Sequence, residues 1–221
     1  SGGAAMKKAL GLGIALALVI AIGGAVFVIE EGSQAIVTEF GKPVGGAKYA
    51  GLHFKVPLIQ QVRRFDRRIL KWDGDPNQIP TKDKRYIWVD TTARWRIEDP
   101  LKFYTTVATE RGALSRLDDI LDAVVRDAVS GHLLVELVRS KDYKAPEGVP
   151  EVMVFDGQEV VPEELIGREE ILANMLAEAK QAMPEYGIEL IDIQIKRINY
   201  VDQVLQRVYD RMISERKKVA S

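Results

Sequence analysis

Residues 9–29 form an unbroken apolar run, fenced by Lys7 and Lys8 on one side and by Glu30 and Glu31 on the other. A helix over this run rises roughly 30 Å at about 1.5 Å per residue, which matches the hydrocarbon thickness of a bilayer. Twelve of its residues are Leu, Ile, Val or Phe. Together they favour insertion by roughly 5 kcal/mol, and no Asp, Lys or Arg at about 3 kcal/mol opposes them. Four glycines weaken a helix in water but are tolerated in lipid. The run predicts a transmembrane helix over 9–29, followed by a single folded body.

A cleaved signal peptide is the competing reading, with Lys7 and Lys8 as its basic start and Gly23, Gly24 and Ala25 as a cleavage site. Against it, the run is longer than an ordinary signal core and stays apolar through Val26, Phe27, Val28 and Ile29. The lysines precede the run, so the positive-inside rule puts the N-terminus in the cytoplasm and the body across the membrane. Residues 1–5 read as an added leader before a native Met6, with 6–8 as a short cytoplasmic tail. Ala9, Gly13, Ala17, Ala21 and Ala25 form a row of small residues four apart. Such a row is a ridge that lets a neighbouring membrane helix approach closely; the alternative is an Ala/Gly-rich span facing lipid.

About 190 residues follow, enough for one large or two small domains. With 31 basic and 32 acidic side chains the net charge is −1, so no global field recruits nucleic acid. The absence of cysteine excludes disulfides, thiolate metal sites and cysteine nucleophiles.

The first part of the body reads as β-rich. Residues 34–40 alternate and end at the turn Gly41-Lys42-Pro43, Gly45 and Gly46 mark a loop, and 51–57 form a short strand closed by Pro57. Residues 62–72 predict one strand with charge on one face, and 73–77 a turn. Ile87, Val89, Ala93, Trp95 and Ile97 give a half-buried strand. Asp99-Pro100 starts a helix. Residues 115–138 carry Leu117, Ile120, Leu121, Val124, Val125, Ala128 and Val129 at helical spacing, and 140–162 breaks the pattern as a loop or hairpin insertion. A helix over 163–183 presents Ile171, Leu172, Met175, Leu176 and Ala179. Ile191, Ile193 and Ile195 alternate as a strand. From about 201 a last helix carries Val204, Leu205, Val208 and Met212 as its stripe.

Few residues stand in patterns that carry chemistry. His53 and His132 lack partners at ligand spacing, which favours structural histidines over a metal site. No nucleophile elbow or phosphate-binding loop is present, and the Gly11-x-Gly13 start of a dinucleotide pattern meets Leu16 inside the apolar run. The expectation is a non-enzyme with no cofactor.

Six segments stand in order along the chain: the apolar run with Glu30-Glu31-Gly32, then Thr38-Glu39-Phe40-Gly41-Lys42, Gly51-Leu52-His53-Phe54-Lys55-Val56-Pro57, Phe65-Asp66-Arg67-Arg68, Trp95-Arg96-Ile97-Glu98-Asp99-Pro100 and Ile195-Lys196-Arg197-Ile198. Together they resemble the SPFH (stomatin, prohibitin, flotillin, HflK and HflC; band 7) family. The closing 208–216 and the short tail are most similar to the HflC branch. The resemblance implies an α+β chain: a transmembrane helix, a β-rich first SPFH subdomain over 30–98, an α/β second subdomain over 99–199, and the start of a long coiled-coil helix over 200–221. It further implies a scaffold in the bacterial inner membrane with a periplasmic body. HflC-like proteins alternate with an HflK-like subunit in a cage around an FtsH-like membrane protease and restrain its access to substrates.

Within that frame Leu52, Phe54, Val56, Leu58 and Ile59 are candidates to dip into the bilayer interface and meet membrane lipids, with core packing as the alternative. Val204, Leu205, Val208 and Met212 are candidates for a subunit interface, with packing on their own domain as the alternative. A stomatin-like homo-oligomeric organiser of lipid domains is the second functional reading, and an envelope hydrolase the third.

Overall fold

Alternation at Val26–Ile29 decides where the folded body begins. In the computed structural model, which describes residues 11, 23–140, 153–155, 158–160 and 166–200, these four residues are a strand, β1. Val, Phe and Ile are good strand formers. Phe27 and Ile29 are buried, while Val26 and Val28 face outward. The helix predicted over 9–29 therefore does not continue through its last four residues; burying Phe27 and Ile29 against a sheet outweighs continuing the helix. Residues 23–25 are helical, and 12–22 lie outside the described residues. Among the described residues no helix is long and apolar enough to cross a membrane.

The chain divides into two compact units, and β8 and β11 contribute residues to both. The first comprises residues 1–69, 96–109 and 185–189. Here β1 pairs antiparallel with β4 (Gly51–Phe54). β2 (Ser33–Glu39) is the middle strand between β3 (Lys42–Lys48) and β5 (Gln60–Asp66). Gln34 to Thr38 are all buried, as a strand covered on both faces requires. Phe27, Ile29, Ala35 and Val37 make a small core with Val62 against it. Helix α1 (Pro100–Thr106) starts at Asp99, whose Oδ1 accepts from the N–H of Leu101 at 2.9 Å and of Lys102 at 3.1 Å. Its Phe103 is buried edge-on to Phe65, with ring centroids 5.5 Å apart.

The second unit comprises residues 70–95, 110–184 and 190–221. β8 (Tyr86–Ile97) pairs with β6 (Leu70–Asp73) and β7 (Asn77–Pro80), and β11 (Ile188–Tyr200) runs on its other side. Every second residue of β8 from Ile87 onward is buried, as its alternation predicts. Helix α2 (Glu110–Gly131) buries Ala113, Leu117, Leu121, Val124, Val125 and Val129. α4 (Arg168–Ala182) buries Ile171, Met175 and Ala179. A short α3 (Leu134–Val138) lies between them in sequence, and β9 (Met153–Phe155) pairs antiparallel with β10 (Gln158–Val160).

Other expectations change as well. The single strand over 62–72 is two, β5 and β6, because 67–69 turn: the Arg67 N–H donates to Gly32 O at 2.8 Å and the Arg68 N–H to Asp66 Oδ1 at 2.7 Å. The Gly45-Gly46 loop is part of β3, held by its pairing with β2. The helix over 115–138 breaks after Gly131. His132 O accepts from the Lys82 N–H at 3.0 Å, and Leu133 restarts the helix by donating to Glu136 Oε2 at 2.7 Å. In β11 the buried set is Ile188, Leu190, Ile193 and Ile195, so the alternation slips and Ile191 is only half-buried. The terminal helix with Val204, Leu205, Val208 and Met212 lies outside the described residues.

Candidate functional site

Four apolar side chains share the outer face of the β1–β4 ribbon. The register sets Val26 opposite Phe54 and Val28 opposite Leu52. Their neighbours Phe27 and His53 turn inward, with rings 5.7 Å apart, and Ile29 is buried. Period-two geometry therefore obliges all four to face outward together. Leu52 is 60% exposed and Phe54 70%.

The chain then turns through Val56, Pro57, Leu58 and Ile59 before entering β5. This turn is held by Gln60: its N–H donates to Val56 O at 3.0 Å, and its Oε1 accepts from the Val56 N–H at 2.8 Å. Leu58, fully exposed at φ 69°, stands at the tip, with Val56 and Ile59 also exposed. Core packing is thus not the fate of Leu52, Phe54, Val56, Leu58 or Ile59; they form a continuous apolar end of the first unit. The Lys55 N–H donates to Ala25 O at 2.7 Å, which fastens this end to the last helical residue of the apolar run. Of the small-residue row, only Ala25 falls among the described residues; Ala9, Gly13, Ala17 and Ala21 do not.

A basic flank lies behind the apolar end. Arg63, Arg64, Arg67 and Arg68 are exposed on and after β5. Arg64 Nη2 donates to Val28 O at 3.3 Å, and Arg67 lies over the Tyr49 ring at 5.5 Å. Cations set behind an apolar edge suit the headgroup level of a membrane. One member of the apolar end is not among the residues read from sequence: Phe40, which is 87% exposed at the β2–β3 turn. Its signal was a large aromatic inside a turn, where Asn or Asp is ordinary.

Other charged groups form structural pairs. On the polar side of the second unit's sheet, Lys196 Nζ pairs with Asp73 and with Asp90, and Arg94 pairs with Asp192. The Lys196 ammonium, followed by that of Lys71, holds Asp73 below its ordinary pKa; the Arg94 guanidinium does the same for Asp192. His53 Nε2 lies 2.6 Å from Tyr49 O, and His132 Nδ1 lies 2.7 Å from Ala128 O. Among the described residues no group of three His, Asp or Glu side chains is placed to hold a metal ion.

Asp122 is pushed the other way, first by burial and then by Asp118, against a hydrogen bond from Asn77 and the charge of Arg126. A raised carboxyl pKa favours folding below the unfolded pKa of about 3.9, and that contribution is lost as pH rises through the folded value. Asp122→Asn is therefore expected to stabilise the fold at pH 7 by up to about 0.5 kcal/mol, the scale of a small change at a half-buried site. Urea midpoints of variant and parent should converge near pH 3.5, and a gain that persists there excludes this cause.

A mixed α/β body of this topology, with its apolar end tied to an apolar N-terminal run, accords with what the sequence comparisons find. The SPFH domain / Band 7 family matches residues 27–221, and the chain belongs to it. Protein HflC of Treponema pallidum is 35% identical over 98% of this chain and 70% of its own length. Protein HflC of Borreliella burgdorferi is 35% identical over 88% of this chain and 62% of its own length. The protein of Escherichia coli (strain K12) called Modulator of FtsH protease HflC is 28% identical over 97% of this chain and 70% of its own length.

Proposed function

We propose that this chain is an HflC-like, non-enzymatic scaffold subunit of the bacterial inner membrane. It assembles with an HflK-like subunit into a cage that encloses an FtsH-like membrane protease and restrains its access to substrates. The observation that carries the reading is the match along nearly the whole chain to proteins named HflC, one of them a modulator of FtsH protease. The apolar end supports membrane apposition: Leu52, Phe54, Val56, Leu58 and Ile59 enter the interface while the part of the N-terminal run that precedes Val26 spans the bilayer. The row Ala9, Gly13, Ala17, Ala21 and Ala25 packs on a neighbouring span. The helix from about 201, through Val204, Leu205, Val208 and Met212, begins the coiled coil between subunits. Lys7 and Lys8 keep the N-terminus in the cytoplasm and the body in the periplasm.

Affinity purification from membranes that also contain an HflK-like and an FtsH-like protein should yield ring or cage particles holding all three. Recovery of monomers alone by native mass analysis overturns the reading. The exposed apolar end also favours a second one, a stomatin-like homo-oligomer that organises membrane lipids without a protease. Homo-oligomers free of the FtsH-like protein would establish it instead.

A further inference from the structure

We infer that Phe40 is a second membrane-inserting point, which enters the lipid interface beside the Pro57–Leu58–Ile59 turn and so fixes the orientation of the first unit on the bilayer. The inference rests on the membrane reading above and adds a contact outside the set read from sequence.

Phe40 has φ 48° and Gly41 φ 81°, a two-residue hairpin turn of the kind that Asn-Gly or Asp-Gly ordinarily fills. A bulky residue at positive φ is strained, and such strain persists where function requires it. Among the described residues four non-glycines have positive φ: Phe40, Leu58, Lys84 and Ala108. Only Phe40 and Leu58 are large and apolar, and they are also the two most exposed large apolar side chains described. In water each gains nothing from its position, whereas in an apolar medium each gains the full transfer term.

The pairing of β2 with β5 ends at Glu39 opposite Gln60. The next residues outward are Phe40 on one strand and Ile59 on the other, so both turns project from the same end of one sheet. Gln60 joins them, since its Nε2 donates to Glu39 Oε2 at 3.4 Å while its backbone and Oε1 hold the Val56 turn. The Tyr104 hydroxyl donates to Gly41 O at 3.0 Å and props the Phe40 turn in place.

Two features identify the occupant as a bilayer. Through Lys55 and Ala25 the apolar end is continuous with the run that reads as a membrane span. Its outermost residues stand at separate turn tips, whereas a protein partner needs a packed face of about 800 Å². Arg64, hydrogen-bonded at Val28, lies two residues back from the Val26–Phe54 pair, about 7 Å along the ribbon. That spacing puts the guanidinium at phosphate level when the tips sit about 5–10 Å deep.

The chain has no cysteine, so Phe40→Cys and Leu58→Cys each give one site for an environment-sensitive fluorophore. The labelled full chain would be reconstituted in phosphatidylethanolamine/phosphatidylglycerol vesicles, with and without brominated acyl chains. Brominated lipid is expected to lower emission by about twofold or more at both positions, as burial at the acyl boundary requires. Quenching at residue 58 alone overturns the inference and leaves the membrane reading standing; quenching at neither overturns both. Blue-shifted but unquenched emission at residue 40 assigns Phe40 to a protein surface, including a second copy of this chain, and likewise overturns the inference. To exclude insertion driven by the dye, unlabelled parent and Phe40→Ser chains would be compared by amide exchange over residues 38–42 in the same vesicles. Slowed exchange that Phe40→Ser abolishes supports insertion, and equal exchange in the two chains overturns it.

Discussion

Replacing Gly187 by alanine is expected to destabilise the first unit by about 3 kcal/mol or more, among the largest effects a single methyl can have. Gly187 has φ 68°, where a Cβ alone costs about 1 kcal/mol. It also has no room. A Cβ there would lie 2.4 Å from Asp99 O and 2.7 Å from Phe103 N. Those two atoms form the first hydrogen bond of α1, at 2.9 Å, so the methyl would wedge into the helix start. The Gly187 carbonyl accepts from the N–H groups of Glu98 at 3.0 Å and Asp99 at 3.1 Å, which prevents the strand from backing away. Gly41→Ala is the matched control: φ is 81° but nothing lies within 4 Å of the added Cβ. It should cost only about 1 kcal/mol. Urea unfolding of the full chain in detergent, followed by circular dichroism, measures both, and equal costs would show that crowding at Gly187 is not the cause.

Trp72→Ala is expected to cost the second unit about 4 kcal/mol, the scale of an aromatic truncated in a packed core. The ring is 1% exposed, and its Nε1–H donates to Asp118 Oδ1 at 2.5 Å. Gly74 lies so close that a Cβ there would be 2.4 Å from Trp72 Cη2, so the space around the ring is already full. Trp72→Phe separates the two contributions, since it keeps most of the ring and loses the donor. Asp118 is exposed and water can replace that donor, so Trp72→Phe should cost only about 1 kcal/mol. Thermal unfolding distinguishes them: a Phe variant as damaged as the Ala variant would make the hydrogen bond, rather than packing, the larger contribution.

Much of the second unit was legible in its periodicities. The alternation of β8 and most of the helical stripes of α2 and α4 mark residues that are buried, because a long amphipathic pattern has one way to hide its apolar face; Ile120, Ala128, Leu172 and Leu176 are half-buried at the stripe edges. The ordered family motifs were legible too, and the family match agrees with them. Less was legible in the first unit. β3 carries two glycines and an exposed pattern, so nothing local marks it as a strand until β2 pairs with it. The break between β5 and β6 is made by hydrogen bonds to Gly32 and Asp66, and the one to Gly32 reaches far back in the chain.

The apolar end shows where the two sources of information divide. Composition and order along the chain sufficed to mark residues 9–29 as apolar, to list Leu52, Phe54, Val56, Leu58 and Ile59 as membrane candidates, and to point to the family. They could not say that Val26–Ile29 is a strand, that the listed residues lie on the surface, or that Phe40 stands beside them. Periodicity tells which residues share a face, but whether that face is covered depends on what packs against it. Here β4 pairs with β1 and β5 with β2, both across the chain, and those pairings bring the candidates out together at one uncovered end.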